Sequence, residues 1–269
     1  MDSAIEKPDH VRANDRQFVT ALSRGLGILR AFRPEDGPLG NQELARRTGL
    51  PKPTISRLTY TLTQLGYLNY DRKVGVYSPG GGMLALGYVA LAQLDVRRVA
   101  RPFMQELADE CGAAVALGAR DRLDMLYLEN CEGQNIVALR VTVGSRIPLG
   151  VSAMGRAYLA ALTERERTPL IDQMLRKYPD DKAKLLRGIE KAFKDVEKRG
   201  FCTSIGEWRK DVNGAGAALA LPNGAGLYAL NCGGPAYLLK SRDIEEIYGP
   251  RLVEITRRVV SLVGVKGRG

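Results

Sequence analysis

The residues best suited to chemistry in this chain lie between Asn41 and Tyr67, in NQELARRTGLPKPTISRLTYTLTQLGY. Lys52, Thr54, Ser56, Arg57 and Tyr60 bring donors, acceptors and positive charge together over a short span. Residues of these types near a helix start can read base edges and phosphate oxygens in a DNA major groove. From Arg46 to Lys73 six residues are basic (Arg46, Arg47, Lys52, Arg57, Arg72, Lys73) and one, Asp71, is acidic. A duplex carries a phosphate charge every ~1.7 Å, so this imbalance favours a salt-dependent attraction. The competing reading is a helical hairpin with an ordinary solvated basic face.

The flanking elements decide between the two. Gln42 to Thr48 reads as a short helix, and Gly49 supplies the backbone freedom for a tight turn. From Pro53 the apolar residues Ile55, Leu58, Leu62 and Leu65 recur at helical intervals and predict one buried stripe. Pro51 and Pro53 fit only a first turn, where an amide hydrogen has no helical partner. Gly66 is placed to end the helix in a left-handed cap. Lys52, Thr54, Ser56, Arg57 and Tyr60 fall off the stripe. Upstream, Phe18, Leu22, Leu26, Leu29 and Phe32 predict a supporting amphipathic helix, closed by Pro34 and Gly37-Pro38. Downstream, Leu68 to Tyr77 alternates around Asp71–Gly75 as two short strands and a basic turn would. Three helices and a two-stranded ribbon make a winged helix-turn-helix. Arg46, Arg47, Arg72 and Lys73 are its candidate phosphate contacts, although a charged hairpin tip such as Arg72-Lys73 is also a common solvated turn.

Composition narrows the remaining classes. The 269 residues are enough for two domains, and 45% hydrophobic content is enough for real cores. No apolar run reaches the ~18 residues of a membrane span. The N-terminus, MDSAIEKPDHVRANDR, is unlike a signal peptide and reads as a flexible arm over residues 1–15. Cys111, Cys131, Cys202 and Cys232 form no C-x-x-C pair, which suggests a cytoplasmic protein with buried free thiols. The net charge of +10 suits a nucleic-acid partner. The single histidine, His10, lies in the arm, so no folded site has an imidazole for a Ser-His-Asp or Cys-His system or a His-containing zinc site. No cofactor or metal is expected. Neither NGAG copy, Asn213–Gly216 or Asn223–Gly226, leads into a phosphate-binding signature, and the second reads as a hairpin turn.

Beyond Gly82 the pattern changes. Ser78-Pro-Gly-Gly-Gly82 is a joint, followed by helices over Met83–Leu94 and Arg97–Cys111. Both are candidates for linking the domains and for pairing two DNA-binding modules. Strand-like stretches follow: AAVALGA from Ala113, LDMLYLEN from Leu123 and NIVALRV from Asn135. Helices are expected over Ser152–Leu162, Glu164–Tyr178 and Asp181–Arg199, then strands Phe201–Ile205, Ala215–Leu221 and Leu227–Cys232. A long helix, Ser241–Val263, closes the chain. Strands around a central group of helices give an α+β domain with one mixed or antiparallel sheet.

ALSRGLGILRAF, the segment from Asn41 to Asp71 and YSPGGGMLALG together resemble the N-terminal half of the IclR (isocitrate lyase regulator) family of bacterial transcription factors. VGSRIPLGVSAMGRAYLAAL, Arg199-Gly-Phe201 and ALNCGGP resemble the landmarks of its effector domain, in the right order from about Ala21 to Val263. The resemblance implies a winged helix-turn-helix domain over 16–79, a linker helix over 80–96 and a GAF-like α+β effector-binding domain over 97–269. It also implies homodimers or homotetramers on near-palindromic double-stranded DNA operators, with small-molecule effectors.

The resemblance extends to the effector site. Family members that bind small 2-oxo acids use helix-start amides, a carboxylate, a cysteine and two serines. Here the helix start falls at Ala153 and Met154, before Gly155. The acidic position falls on Ser204, the cysteine on Gly214 and the serines on Asn231 and Gly233. The backbone amides survive, and they suffice to attract an anion. Two glycines in place of polar side chains enlarge the pocket, and Trp208 and Phe201 are near in sequence. The expected effector is a carboxylate larger than glyoxylate or pyruvate, aromatic in one version, with Asn231 as a polar anchor. Alternatively Trp208 only packs a loop. Two rival classes stay open: an architectural DNA-binding protein without effector, and an enzyme using Glu207, Asp211 and Asn213 with an appended DNA-binding module.

Overall fold

A computed structural model describes residues 17–33, 36–133 and 142–266. The chain divides into two compact units, Met1–Gln93 and Leu94–Gly269.

The first unit runs α1 (Thr20–Arg30), β1 (Leu39–Gly40), α2 (Asn41–Thr48), α3 (Lys52–Gln64), β2 (Leu68–Asp71), β3 (Val76–Pro79) and α4 (Gly81–Ala92). Its core gathers Ile28, Ala31, Leu39, Leu44, Ile55, Leu68 and Tyr77. Gly49 and Gly66 both adopt positive φ, which lets α2 turn into α3 and closes α3 after Leu65. The stripe on α3 differs from the expectation at its end. Ile55 is buried and Leu58 and Leu62 partly so, but Leu65 is exposed. Thr59 completes the buried face, its hydroxyl donating to the Ile55 carbonyl at 2.9 Å. Likewise α1 buries Gly27 and Ile28 while Leu22 and Leu26 face outward. Pro34, the expected stop of that helix, lies outside the described residues.

The wing is three-stranded rather than two-stranded, in the order β1-β3-β2, because Leu39 and Gly40 pair with Tyr77 and Val76. The glycine joint belongs to α4 itself, which starts at Gly81 rather than Met83. Gly80 N–H donates to the Tyr67 carbonyl at 2.9 Å and Gly82 N–H to the Gly66 carbonyl at 3.0 Å. A Cβ at Gly80 would lie 2.4 Å from the Gly66 oxygen, so only glycine permits this backbone-on-backbone contact between the end of α3 and the start of α4.

The second unit contains α5 (Asp95–Cys111), β4 (Ala114–Asp121), β5 (Asp124–Glu132), β6 (Arg146–Pro148), α6 (Ala153–Ala161), α7 (Glu164–Lys177), α8 (Lys182–Arg199), β7 (Cys202–Ile205), β8 (Val212–Ala220), β9 (Leu227–Pro235), α9 (Ser241–Asp243) and α10 (Gly249–Lys266). A π-helical turn, Ile244–Tyr248, joins α9 to α10 and interrupts the continuous helix expected there. The six strands form one antiparallel sheet in the order β6-β5-β4-β9-β8-β7. Helices cover its two faces, in place of strands around a helical centre. Val115, Leu117, Leu230 and Cys232 pack on one side with Met104 and Leu107 of α5 and Leu252 and Ile255 of α10. Ala116, Tyr127 and Ala229 pack on the other with Met154 and Leu159 of α6 and Ile189 of α8. Period-two alternation along β4 thus feeds both cores. The β8–β9 hairpin turns through Pro222–Gly224, as the second NGAG suggests, whereas the first lies inside β8. The expected strand Asn135–Val141 lies outside the described residues.

All four cysteines are free and buried. Burial pushes the Cys202 thiol up to about 12 and Cys131 up to about 11, which keeps both protonated. Among the described residues no helix is long and apolar enough to cross a membrane.

Candidate functional site

Two sites can be built, one in each unit. In the first, packing of Ile55 and Thr59 inward turns the opposite edge of α3 to solvent. Lys52 opens the helix, Ser56, Arg57 and Tyr60 are exposed, and Thr54 is half-buried. Ser56 Oγ accepts from Asn41 Nδ2 at 3.1 Å, which fixes the hydroxyl while leaving its proton free to be donated. Arg72 and Lys73 occupy the exposed turn between β2 and β3, where Lys73 N–H donates to Asp71 Oδ1 at 2.8 Å. The Tyr70 and Tyr77 rings, with centroids 4.7 Å apart, stiffen the ribbon beneath that turn. Among the described residues no ion pair draws on Lys52, Arg57, Arg72 or Lys73, so their charge is presented outward.

Arg46 and Arg47 differ from these. Arg46 is half-exposed and bonded to Glu43, Nε to Oε2 at 2.7 Å. Arg47 is built into the domain. Its guanidinium pairs with both oxygens of Asp36, with Glu43 at 2.6 Å, and donates to the Ala31 carbonyl at 2.8 Å. The two arginines hold the Glu43 carboxyl down to about 2, from an ordinary 4.5. Arg47 thus fastens the segment after α1 to α2, a fixed role that leaves no fork for a phosphate.

The second site is a cleft of about 40 Å³ on the α6 side of the sheet. Its floor follows from strand register. Ala114 pairs with Gly233, Gly233 with Gly214 and Gly214 with Ser204, one row of small residues across four strands. In the next row Ala116 pairs with Asn231 and Asn231 with Gly216. Where side chains are absent the helical layer leaves a gap. Gly216 also seats α6, since a Cβ there would lie 2.3 Å from the Ala153 oxygen. Ser152 caps α6, accepting from Gly155 N–H at 3.1 Å and donating to the Pro148 carbonyl at 2.7 Å. Tyr127, Ile147, Trp208, Val212 and Asn213 complete the lining.

Of the residues named from sequence, Ala153, Ser204, Trp208, Gly214, Asn231 and Gly233 line this cleft. Met154 and Gly155 do not. The Met154 side chain is buried against Gly118, and Gly155 is a packing glycine whose Cβ would meet the Leu149 oxygen at 2.1 Å. Ser204 Oγ donates to the Val151 carbonyl at 2.8 Å, so its hydroxyl braces the loop before α6. Asn231 hydrogen-bonds Tyr127, while its buried Oδ1 has no partner among the described residues. Burial pushes the Tyr127 phenol well above its ordinary range, so it stays neutral and available for hydrogen bonding. An unpartnered buried amide end beside a neutral phenol is a polar station of the kind that orients a ligand in an otherwise apolar cleft. Among the described residues no charged side chain lines it. Phe201 lies in the opposite core. Glu207, a candidate for chemistry in the enzyme reading, instead pairs with Arg156, and Asn213 Nδ2 donates to the Leu239 carbonyl at 2.9 Å.

Comparison with known proteins covers both units. The family model of the IclR helix-turn-helix domain matches residues 21–72, and that of the IclR C-terminal domain of bacterial transcriptional regulators matches residues 88–260. The chain is 32% identical over 262 residues to the HTH-type transcriptional regulator TsaQ1/TsaQ2 of Comamonas testosteroni, covering 96% of this chain and 94% of that protein. The crystal structure of an IclR family transcriptional regulator from Brucella abortus shares 45% identity and a TM-score of 0.87, over 97% of both chains. An IclR homolog from Microbacterium hydrocarbonoxydans, solved in complex with 4-hydroxybenzoate, shares the fold at 19% identity and a TM-score of 0.71, over 90% of this chain and 98% of that one.

Proposed function

The chain belongs to the IclR family of bacterial transcriptional regulators, and we propose that it binds a near-palindromic operator through α3 and releases or grips it in response to an aromatic carboxylate held in the α6 cleft. The observation that carries the first half is the outward edge of α3, where Lys52, Ser56, Arg57 and Tyr60 stand exposed on a winged-helix frame. Arg72, Lys73 and Arg46, which bonds Glu43 but stays exposed, serve phosphates; Arg47 is left out because it is largely buried, with every guanidinium nitrogen bonded. The reading is of a cytoplasmic regulator and not an enzyme, because relatives are named as regulators and the described residues of the cleft offer hydrogen-bonding groups without an acid, base or nucleophile pair.

Self-association is part of this proposal. Leu84, Leu86, Tyr88 and Val89 of α4 are exposed, as are Val19, Leu22 and Leu26 at α1. An apolar helix none of whose residues is fully buried calls for a second copy. Two copies then present two α3 helices, which must match half-sites ~34 Å apart or a multiple of that, and a small ligand-induced reorientation changes the fit.

For the ligand, the support is a floor of Gly214 and Gly233, a wall of Trp208 and Tyr127, an unpartnered Asn231 Oδ1 and the helix start at Ala153. The 4-hydroxybenzoate of the Microbacterium homolog suggests the class. The test is calorimetric titration of benzoate, 4-hydroxybenzoate and pyruvate, paired with a footprint on the promoter beside the protein's own gene. Binding of an aromatic acid that changes the footprint is expected. Tight pyruvate binding with no aromatic binding rejects the ligand class, and an absent footprint rejects the regulator.

A further inference from the structure

The cleft as it stands has room for only a few water-sized bodies, so an aromatic ring enters only if a wall moves. One wall is built differently from the others. Trp208 sits in the loop between β7 and β8, partly buried against the Tyr158–Leu159 cluster, while the remaining lining belongs mostly to strands and to the start of α6.

That loop is fastened from beneath. Arg156, in α6, is 1% exposed and among the largest fully buried side chains. Its Nε donates to the Gly150 carbonyl at 2.8 Å and its Nη2 to Glu207 Oε2 at 2.7 Å. Gly188 of α8 closes over the guanidinium, with space for a Cβ only 2.0 Å from Nη2. A buried guanidinium requires a counter-charge, and Glu207 provides it from the neighbouring position to Trp208. Backbone bonds also hold the loop, Gly206 N–H to the Val212 carbonyl, Val212 N–H to the Arg209 carbonyl and Ala236 N–H to the Asp211 carbonyl, and the Arg209 guanidinium lies 5.6 Å from the Trp208 ring within the loop. Gly206 has a φ of +62°, a conformation open to glycine, at the point where the chain leaves β7.

We propose that the Arg156–Glu207 ion pair is a latch that holds the Trp208 loop against the cleft, making Glu207 a positioning residue that sets how fast and how tightly the effector is held without touching it. This rests on the cleft being the effector site. The same α6 that carries Arg156 also lines the cleft at its first residue, Ala153, so the latch registers loop and cleft against one element.

Trp208 is the sole tryptophan of the chain, so its emission reports on the latch directly. In full-length protein, Glu207→Ala should shift the emission to the red and raise acrylamide quenching, with Glu207→Gln intermediate because it keeps an acceptor for Arg156. With 4-hydroxybenzoate as the probe, stopped-flow mixing should show faster entry and faster release in Glu207→Ala, and an affinity about tenfold weaker. Folded Glu207→Ala with wild-type emission and quenching overturns the latch. So does equal ligand kinetics in the Ala and Gln variants and the wild type. If Glu207→Ala does not fold, unchanged emission and quenching in Glu207→Gln overturns it as well. If the probe fails to bind the wild type, the ligand class is wrong, and quenching without ligand still decides the latch.

Discussion

Arg47 and Arg57 are the same residue type ten positions apart, and their surroundings give them opposite work. Arg57 is exposed and makes no ion pair among the described residues, whereas Arg47 is enclosed by Asp36, Glu43 and the Ala31 carbonyl. Substituting each with alanine therefore separates two readouts. Arg57→Ala should weaken specific operator binding by about 1–3 kcal/mol in a salt-controlled gel shift and leave the thermal midpoint unchanged. Arg47→Ala should instead lower the midpoint by about 5 °C at neutral pH. The pH dependence follows from the carboxylates. Glu43 is held down to about 2 and Asp36 is also lowered, each mainly by side-chain hydrogen bonds from arginine. A depressed carboxylate stabilises the fold above its unfolded value and loses that contribution as pH falls through the folded one. The midpoint gap between wild type and Arg47→Ala should thus be full at pH 7 and shrink between about pH 4.5 and pH 2.

At the scale of elements, the helices around Gly49 and Gly66, the basic hairpin and the β8–β9 turn were all legible, because each depends on neighbours within a few residues. The errors have a common source. Leu22, Leu26 and Leu65 carry an apolar pattern but face outward, and Thr59 looks polar yet is buried because the Ile55 carbonyl satisfies its hydroxyl. Periodicity records side-chain character and is blind to such a local bond. Two strand residues, Leu39 and Gly40, are too few to show a period at all. The cleft illustrates a deeper limit. Tyr127, Ile147 and Ala114 reach it through the register of β4, β5, β6 and β9, which no local spacing encodes, whereas Asn231 and Gly233 were found only through the family resemblance. Gly216 shows the same dependence. Glycine there seats α6 on β8, and Gly216→Ala should displace the helix start, destabilising the unit by roughly 1–3 kcal/mol. Ligand affinity should fall with it, and calorimetry beside thermal denaturation measures both. Full affinity in this variant would show that the start of α6 takes no part in binding.

At the scale of the whole molecule, α4 is the element that makes least sense in a single chain. Leu84 is 77% exposed and Tyr88 71%, values tolerable on a scattered surface but not on one apolar helix. The double substitution Leu84→Glu, Tyr88→Glu should shift sedimentation towards monomer at micromolar concentration. Operator affinity should drop by more than any single base contact explains, because two half-sites would no longer be engaged together. A dimer that survives both charges would move the association surface to another part of the chain. The place where α4 begins then acquires a mechanical meaning. Gly80 and Gly82 lie against the Gly66 carbonyl with no side chain between them, so the start of α4 is held directly on the residue that closes α3. The twelve residues of α4 make a crank roughly 18 Å long. A rotation of α4 should therefore carry Lys52–Gln64 with it, because Gly80 and Gly82, whose Cβ atoms would press on Gly66, close the joint, while Gly81 between them meets no neighbour.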